Sequence, residues 1–189
     1  MMAYKFNEVL NDLVDYFLLG DIELLAEWKH SHGLADDLAS EFTTNESGDQ
    51  AVAEGIVLPM SRIANYPYTI IFTWAEEAPL LLEDTSRLQF RREGYTLQVA
   101  HEKLVLFTWP ILRCFTSEAV AALLERYRLQ KRPMIAVPNG WYSIEVLGGE
   151  TLQDGVYEPT LEFILRQTAH QMGEEIDFNA PFTIESSEY

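Results

Sequence analysis

Residues 68–74 read Tyr-Thr-Ile-Ile-Phe-Thr-Trp, an apolar run rich in β-branched and aromatic side chains. A short run of this composition that follows a proline predicts a buried β-strand. Four further short apolar runs lie around it, at residues 56–58, 88–90, 95–99 and 104–107. Prolines and glycines, including a predicted turn at Gly94, separate these runs at intervals of about ten residues, which is typical of an antiparallel β-sandwich.

Two more strands are predicted towards the C-terminus, over residues 134–137 and 141–147. Pro138-Asn139-Gly140 separates them, and because Asn-Gly is a strong tight-turn signal, the pair is predicted to form a hairpin. The glycine-containing residues 148–155 are predicted to form a loop. The run that follows at residues 161–166 fits a helix or a strand, and its β-branched and aromatic content favours a strand.

One helix is predicted to interrupt the strands. Thr116 or Ser117 can cap its N-terminus. Its apolar face consists of four residues at helical spacing, Val120, Leu123, Leu124 and Tyr127. Its end is basic and contains Arg126, Arg128, Lys131 and Arg132. Cations at this end complement the helix dipole, and a docking patch for a partner is the alternative interpretation.

The N-terminal region has helical rather than alternating periodicity. A first helix is predicted from the apolar positions Phe6, Val9, Leu10, Leu13, Val14, Phe17 and Leu18. Gly20 is predicted to end this helix, and Asp21 is predicted to cap a second one that continues through Trp28. A third apolar stripe follows at Leu34, Leu38 and Phe42, with an acidic outer face. The polar residues 43–50 are predicted to form a loop.

These patterns together predict an α+β protein with an antiparallel β-sandwich-like core, an N-terminal helical segment and one inserted helix. The helical segment comprises residues 1–45 and is expected to pack on the core, and the β-rich core domain comprises residues 51–168. Residues 169–189 are an acidic tail, which is predicted to be an extended arm or partly disordered.

The charge of the chain is concentrated in its two end regions. The formal net charge is −17, and residues 1–58 carry 12 acids and 2 bases. Residues 59–150 carry 10 of each, and residues 151–189 carry 8 acids and 1 base. Such a field repels nucleic acid and anionic lipid, so direct nucleic-acid binding is not expected, whereas a basic protein partner would be attracted. Acidity that serves only solubility is the alternative.

Other sequence features bear on the cellular compartment. The only cysteine, Cys114, cannot form an intramolecular disulfide, which indicates a reducing compartment. It lies in a largely apolar run and is expected to be buried and inert. The N-terminus lacks the basic start and unbroken apolar core of a signal peptide. No run approaches the roughly 20 apolar residues of a membrane span, so we predict a cytoplasmic protein that does not enter a membrane.

Motifs for catalysis, metals and cofactors do not emerge from the sequence. His30 and His32 are two residues apart, whereas two ligands on one helix face lie three or four residues apart. His170 and Glu174 have that spacing, but no second pair accompanies them. The chain contains neither a Gly-x-Ser-x-Gly elbow nor a glycine-rich phosphate loop. We therefore expect no catalytic residues, no metal and no cofactor.

The order of several motifs in residues 51–168 resembles the competence nuclease inhibitor family. The motifs are Gly55-Ile56, Asn65 before Ile70-Ile71-Phe72, the Gly94 turn, Gly140-x-Tyr142, and Tyr157 before a final strand. Members of that family are small acidic β-sandwich proteins that bind and silence a DNA-entry nuclease, so the resemblance implies an inhibitor. The inserted helix and the helical N-terminus depart from the family pattern. Immunity proteins of bacterial toxin systems are similar in size and acidity.

The leading functional hypothesis is a non-enzymatic acidic protein that neutralises a basic partner, such as a toxin or nuclease, as an inhibitor or immunity protein. The candidate contact residues follow one another across the predicted third helix and loop: Asp36, Asp37, Glu41, Glu46 and Asp49. One alternative is a small-molecule-binding or enzymatic β-sandwich with a cleft lined by Trp74, Trp109 and Trp141. Another is an assembly subunit whose amphipathic first helix packs against a second copy.

Overall fold

A computed structural model describes residues 1–6, 16–173, 177 and 179–189. The described residues form a mixed α+β structure, so the predicted class is confirmed. The strands are β1 (Met2–Phe6), β2 (Phe17–Gly20), β3 (Val57–Met60), β4 (Tyr68–Trp74), β5 (Arg87–Val99), β6 (Lys103–Thr108), β7 (Met134–Ala136), β8 (Gly140–Gln153) and β9 (Val156–Thr168). The α-helices are α1 (Ile22–Ser31), α2 (Leu38–Thr44), α3 (Ser47–Ala53) and α4 (Ser117–Gln130). None of the helices described is long and apolar enough to cross a membrane.

The strands are arranged in two sheets. The larger sheet has the order β1-β4-β9-β8-β5, and the smaller one has the order β3-β2-β6-β7. Every pair is antiparallel except β4 with β9, which run parallel. The long strands β8 and β9 are joined at Asp154-Gly155, where both residues have positive φ, so the central hairpin of the large sheet reverses in a tight turn.

One hydrophobic core unites the sheets, the helices and the C-terminal arm, which we define as residues 181–189. The Phe17 ring on β2 lies 5.2 Å from that of Phe6 and 5.4 Å from that of Tyr68, so aromatic contacts join the two sheets. Phe182 and Ile184 of the arm are 3% and 0% exposed. The described part of the acidic tail therefore contributes side chains to the interior of the molecule.

The helix caps follow from local sequence. Asp21 accepts hydrogen bonds from the backbone N–H groups of Glu23 and Leu24, so the predicted start of α1 is confirmed. Thr116 caps α4 through the N–H of Ala119, and the helix ends at Lys131, which is in the left-handed region. The strand predicted at residues 68–74 coincides with β4, and the strand favoured for residues 161–166 lies within β9.

The predicted first helix is wrong at both of its ends. Phe6 ends β1, Phe17 and Leu18 belong to β2, and the positions between them lie outside the described residues. Gly20 is the last residue of β2 rather than a helix cap, and a Cβ there would lie 2.8 Å from the Ile56 carbonyl oxygen. Short apolar runs fit both periodicities, and here strand pairing with β3 and β6 decides between them.

The predicted loop over residues 43–50 is also wrong at both of its ends, because α2 continues to Thr44 and α3 begins at Ser47. The polar residues that suggested a loop lie instead at the end of α2 and at the start of α3. Asn45 ends α2, and its side-chain oxygen accepts a hydrogen bond from the Ser47 N–H. The loop signal therefore marks a tight junction between two short helices.

The predicted hairpin at Pro138-Asn139-Gly140 does not form. β7 pairs with β6 in the small sheet, whereas β8 pairs with β5 and β9 in the large sheet. The connection therefore crosses from one sheet to the other. The Asn139 side chain accepts a hydrogen bond from the Glu102 N–H and so stabilises the neighbouring turn between β5 and β6.

Three glycines that were predicted to mark turns or loops lie inside strands. Gly94 is inside β5 at a register irregularity, where its φ is +91°, so the strand bends there but continues. Gly148 and Gly149 are inside β8. A Cβ at Gly148 would lie 2.1 Å from the Phe90 ring, and one at Gly149 would lie 2.2 Å from the Arg87 carbonyl oxygen. These glycines permit close packing between β5 and β8.

Candidate functional site

The five predicted contact acids lie on one continuous segment around α2 and α3, which we call the acidic helical surface: Asp36, Asp37, Glu41, Glu46 and Asp49. Four of them are exposed, and Glu41 is half-buried. Asp37 is the N-cap of α2, and Glu46 is the N-cap of α3. The short helices thus hold five carboxylates within fourteen residues of chain.

Three of these acids already have partners within the protein. Asp36 forms an ion pair with Lys29, whose side chain is mostly buried. The Asp37 carboxylate accepts a hydrogen bond from the Ser40 N–H at the start of α2. Glu41 accepts hydrogen bonds from the Ala35 N–H at 3.0 Å and from the Asn45 side-chain amide at 2.7 Å. These three side chains stabilise the local fold as well as adding charge.

The other two acids are available to a partner. Within the described part of the chain, the side chains of Glu46 and Asp49 form no ion pair or hydrogen bond. Both residues are exposed. A carboxylate without an internal partner retains its full hydration and charge. It can therefore form an ion pair with a cation of a binding partner without breaking a native contact. Glu46 and Asp49 are therefore the stronger candidates for binding.

A small aromatic cavity of about 210 Å³ lies beside Asp49, between α2, α3 and the strands β2 and β3. Its apolar wall includes Tyr16, Phe42, Val52, Val57, Pro59 and Trp109. The Tyr16 and Trp109 rings lie 5.5 Å apart at a tilt of 43°. Asp49 contributes a carboxylate to this wall. The site therefore combines aromatic faces with an uncompensated negative charge.

The three tryptophans proposed for a cleft have different neighbours. Trp109 lines the aromatic cavity. Trp74 packs against Tyr142 at 6.2 Å, and Trp141 covers Gly55, where a Cβ would lie 2.6 Å from the indole ring. Among the described residues, no ring contact joins two of these tryptophans. Of the three tryptophans, Trp109 alone is among the described residues that line the aromatic cavity.

Sequence reasoning missed a histidine held between two carboxylates. His101 Nδ1 lies 3.1 Å from the buried Asp21 carboxylate, and Nε2 lies 2.9 Å from Glu27 Oε1. Burial opposes protonation of this imidazole, but the negative charge of Asp21 and hydrogen bonds to both carboxylates outweigh it, so the pKa of His101 is raised. Both ring nitrogens are occupied, and the imidazole therefore joins α1 to the turn after β5.

A fully buried carboxylate was also missed. Glu162 on β9 accepts hydrogen bonds from the Thr73 hydroxyl at 2.6 Å and from the N–H groups of Leu80 and Leu81 at 3.0 and 2.8 Å. Three donors satisfy the carboxylate and fix the 3₁₀ turn Leu80–Leu82 against the large sheet. The sequence signal for this contact was an acid within the apolar run at residues 161–165.

The structure provides little support for metal or thiol chemistry. Among the described residues, no group of three histidines, cysteines or carboxylates could hold a metal ion. His32 stacks on Trp28 at 4.2 Å, and the partner proposed for His170, Glu174, lies outside the described residues. Cys114 is exposed rather than buried, because it ends the 3₁₀ turn Trp109–Cys114 at the surface.

No protein-family model matches the chain, and no curated protein matches it. Among solved structures, a protein titled crocagin biosynthetic gene J is similar to it, with a TM-score of 0.45 and 10% sequence identity. The alignment covers 88% of this chain and 99% of the other. A likeness at this level carries no functional argument, so the function has to be inferred from the site.

Proposed function

We propose that this protein binds a basic protein partner through the acidic helical surface and acts as an inhibitor or immunity protein for that partner. The observation that carries this proposal is the position of Asp49, a carboxylate without an internal partner, in the wall of the aromatic cavity. An arginine or lysine of the partner that entered this cavity would meet both a negative charge and aromatic faces. Such buried cationic anchors are typical hot spots of protein interfaces.

The size of the aromatic cavity favours a single side chain over a metabolite. Its volume is about 210 Å³, whereas ligand pockets usually occupy roughly 300–1,000 Å³. Its polar wall contains one carboxylate and few other convergent polar groups. Recognition of a metabolite normally requires several such groups to fix its orientation. These features support a protein-interaction site more strongly than the small-molecule or enzymatic alternative.

The charge distribution supports a fast, salt-sensitive encounter with a basic partner. Residues 1–58 carry ten more acids than bases. Glu46 and Asp49 are two of these acids, and within the described part of the chain neither forms an ion pair with a base. Complementary charge raises association rates by about 10- to 1,000-fold at low salt. The aromatic cavity would then determine how slowly the complex dissociates.

The test is equilibrium and kinetic binding to the protein products of neighbouring genes, at low and high salt. We expect one basic product to bind, and the variant Glu46→Gln/Asp49→Asn to associate about tenfold more slowly at low salt. A charge-matched control, Glu76→Gln/Asp84→Asn, alters two exposed acids away from this surface and should associate at the normal rate. Equal rates for both double variants, or no binding to any product, would contradict the proposal.

A second variant tests the contribution of the aromatic cavity to binding separately from that of the acidic charge. Thr43 is exposed and lines the aromatic cavity, and its hydroxyl bonds only to carbonyls of its own helix. Thr43→Trp should therefore fill the cavity mouth while leaving the fold intact. We expect faster dissociation, by about tenfold or more, with an unchanged association rate. An unchanged dissociation rate would show that no partner side chain enters the cavity.

A further inference from the structure

A second cavity, of about 570 Å³, lies between β1 and the C-terminal end of α4, and we call it the basic groove. Ala3, Tyr4 and Lys5 of β1 form one wall. Arg128, Lys131 and Arg132 contribute to the other wall. The Tyr4 hydroxyl donates a hydrogen bond to the Met134 carbonyl at 2.9 Å, which links β1 to β7 beneath the groove.

The wall formed by β1 is the edge of a strand rather than one of its faces. Successive side chains of a strand point to opposite sides, so a cavity that contacts three consecutive residues lies along the backbone edge. β1 is the terminal strand of the large sheet and pairs with β4. In the described part of the chain, no strand pairs with its other edge. The groove therefore presents backbone donors and acceptors to a binding partner.

The groove is cationic although the protein as a whole is strongly acidic. Four of the 13 lysines and arginines line it, Lys5, Arg128, Lys131 and Arg132. Among the described residues no carboxylate lines it, and the neighbouring Glu125 forms an ion pair with Arg128. The dipole of α4 accounts for cations at the end of that helix. It does not account for Lys5 on the opposite wall, whose ammonium donates hydrogen bonds to the Thr69 hydroxyl and to the Gln153 side-chain oxygen. These neutral partners do not cancel the positive charge of Lys5, so both walls of the groove attract an anionic ligand.

We propose that the basic groove binds an extended acidic peptide segment of a partner protein, which adds a strand to the free edge of β1. Carboxylate side chains on alternate positions of that segment would face the cations, while its backbone would pair with β1. Nucleic acid also carries negative charge, but it cannot reproduce the strand-pairing pattern. This proposal rests on different residues from the acidic helical surface, and either can hold without the other.

The probe is a fluorescein-labelled ten-residue peptide in which glutamate alternates with valine and threonine, and the readout is fluorescence anisotropy. We expect saturable binding that weakens with salt and falls about tenfold or more in the variant Arg128→Gln/Lys131→Asn. Asparagine tolerates the left-handed conformation of Lys131, so the helix end should persist. The control Arg126→Gln/Arg166→Gln removes two exposed cations that do not line the groove and should bind the peptide normally.

Backbone pairing is tested with the same peptide carrying N-methyl groups at every second residue, prepared in both alternations. Strand addition predicts that one alternation loses binding about tenfold or more, because methylation removes the N–H donors that face β1. Equal binding of both methylated peptides would show that the groove binds anions without strand pairing and would overturn the proposal. Equally tight binding of a single-stranded oligonucleotide of the same charge would do the same. So would no binding at millimolar peptide. A dimer of the protein that Arg128→Gln/Lys131→Asn dissociates would assign the groove to a second copy instead.

Discussion

At the scale of single residues, Asp21 connects three parts of the fold with one buried carboxylate. One oxygen accepts the N–H groups of Glu23 and Leu24, and the other accepts those of Ala100 and His101. The role of Asp21 as an N-cap was predictable from the residues that directly follow it in the sequence. Its contact with His101 was not, because 80 residues separate the two in sequence and only the folded chain brings them together.

His101 should make the stability of the protein depend on pH. Its pKa is raised in the folded state by Asp21 and Glu27, so its charged form stabilises the fold. That contribution is fully present below the unfolded pKa of about 6.5 and is lost as pH rises through the higher folded value. The measurement is urea unfolding of the protein and of His101→Gln across this range. We expect the difference in free energy of unfolding to shrink with rising pH; a constant difference would assign His101 a packing role alone.

At the scale of elements, local patterns predicted individual strands and helices better than their connections. The run 68–74 matches β4, and Thr116 caps α4 as predicted, because composition and caps act within a few residues. The Asn139-Gly140 signal indicated a hairpin between β7 and β8. However, β8 pairs with β5 and β9 and therefore lies in a different sheet from β7. For the candidate site, the charge pattern predicted the acidic segment, whereas Trp109 was predicted only as part of a separate cleft with Trp74 and Trp141. The cavity was not, since β2 and β3 approach α3 only in the folded molecule.

The packing of β5 against β8 gives a prediction at this scale. A methyl group at Gly148 would lie 2.1 Å from the Phe90 ring, so Gly148→Ala forces the ring or the strand to move. We expect a loss of about 1–3 kcal/mol in the free energy of unfolding, measured by urea titration. The control Gly173→Ala has no atom within 4 Å of the added Cβ and should change stability little. Combining Gly148→Ala with Phe90→Leu should recover part of the loss, and strictly additive losses would show that the two sites do not contact each other.

At the scale of the whole molecule, the chain ends are joined to the core rather than appended to it. β1 pairs with β4 in the large sheet, and the C-terminal arm places Phe182 against Phe90 at 5.6 Å. Glu150 holds the arm through the Ser187 N–H and hydroxyl, at 2.7 and 2.8 Å. These bonds, with the nearby Arg87, outweigh burial and lower the pKa of Glu150. Composition alone suggested a tail, because five acids are scattered among its apolar residues and obscure the alternation of Phe182 and Ile184.

The arm should therefore contribute to global stability. Phe182→Ala removes a ring that is 3% exposed and packs between Phe90 and Tyr95, so we expect a loss of about 3–5 kcal/mol in the free energy of unfolding. Tyr189→Ala is the control, because that residue is largely exposed, stacks on Tyr66 and makes a long hydrogen bond of 3.5 Å to Glu158, and its loss should cost less than about 1 kcal/mol. If both variants unfold at the same urea concentration as the parent protein, the arm does not occupy the core in solution. The expected difference would instead show that the arm is fixed against the core, so that the exposed carboxylates of Glu185 and Glu188 keep fixed positions on the surface.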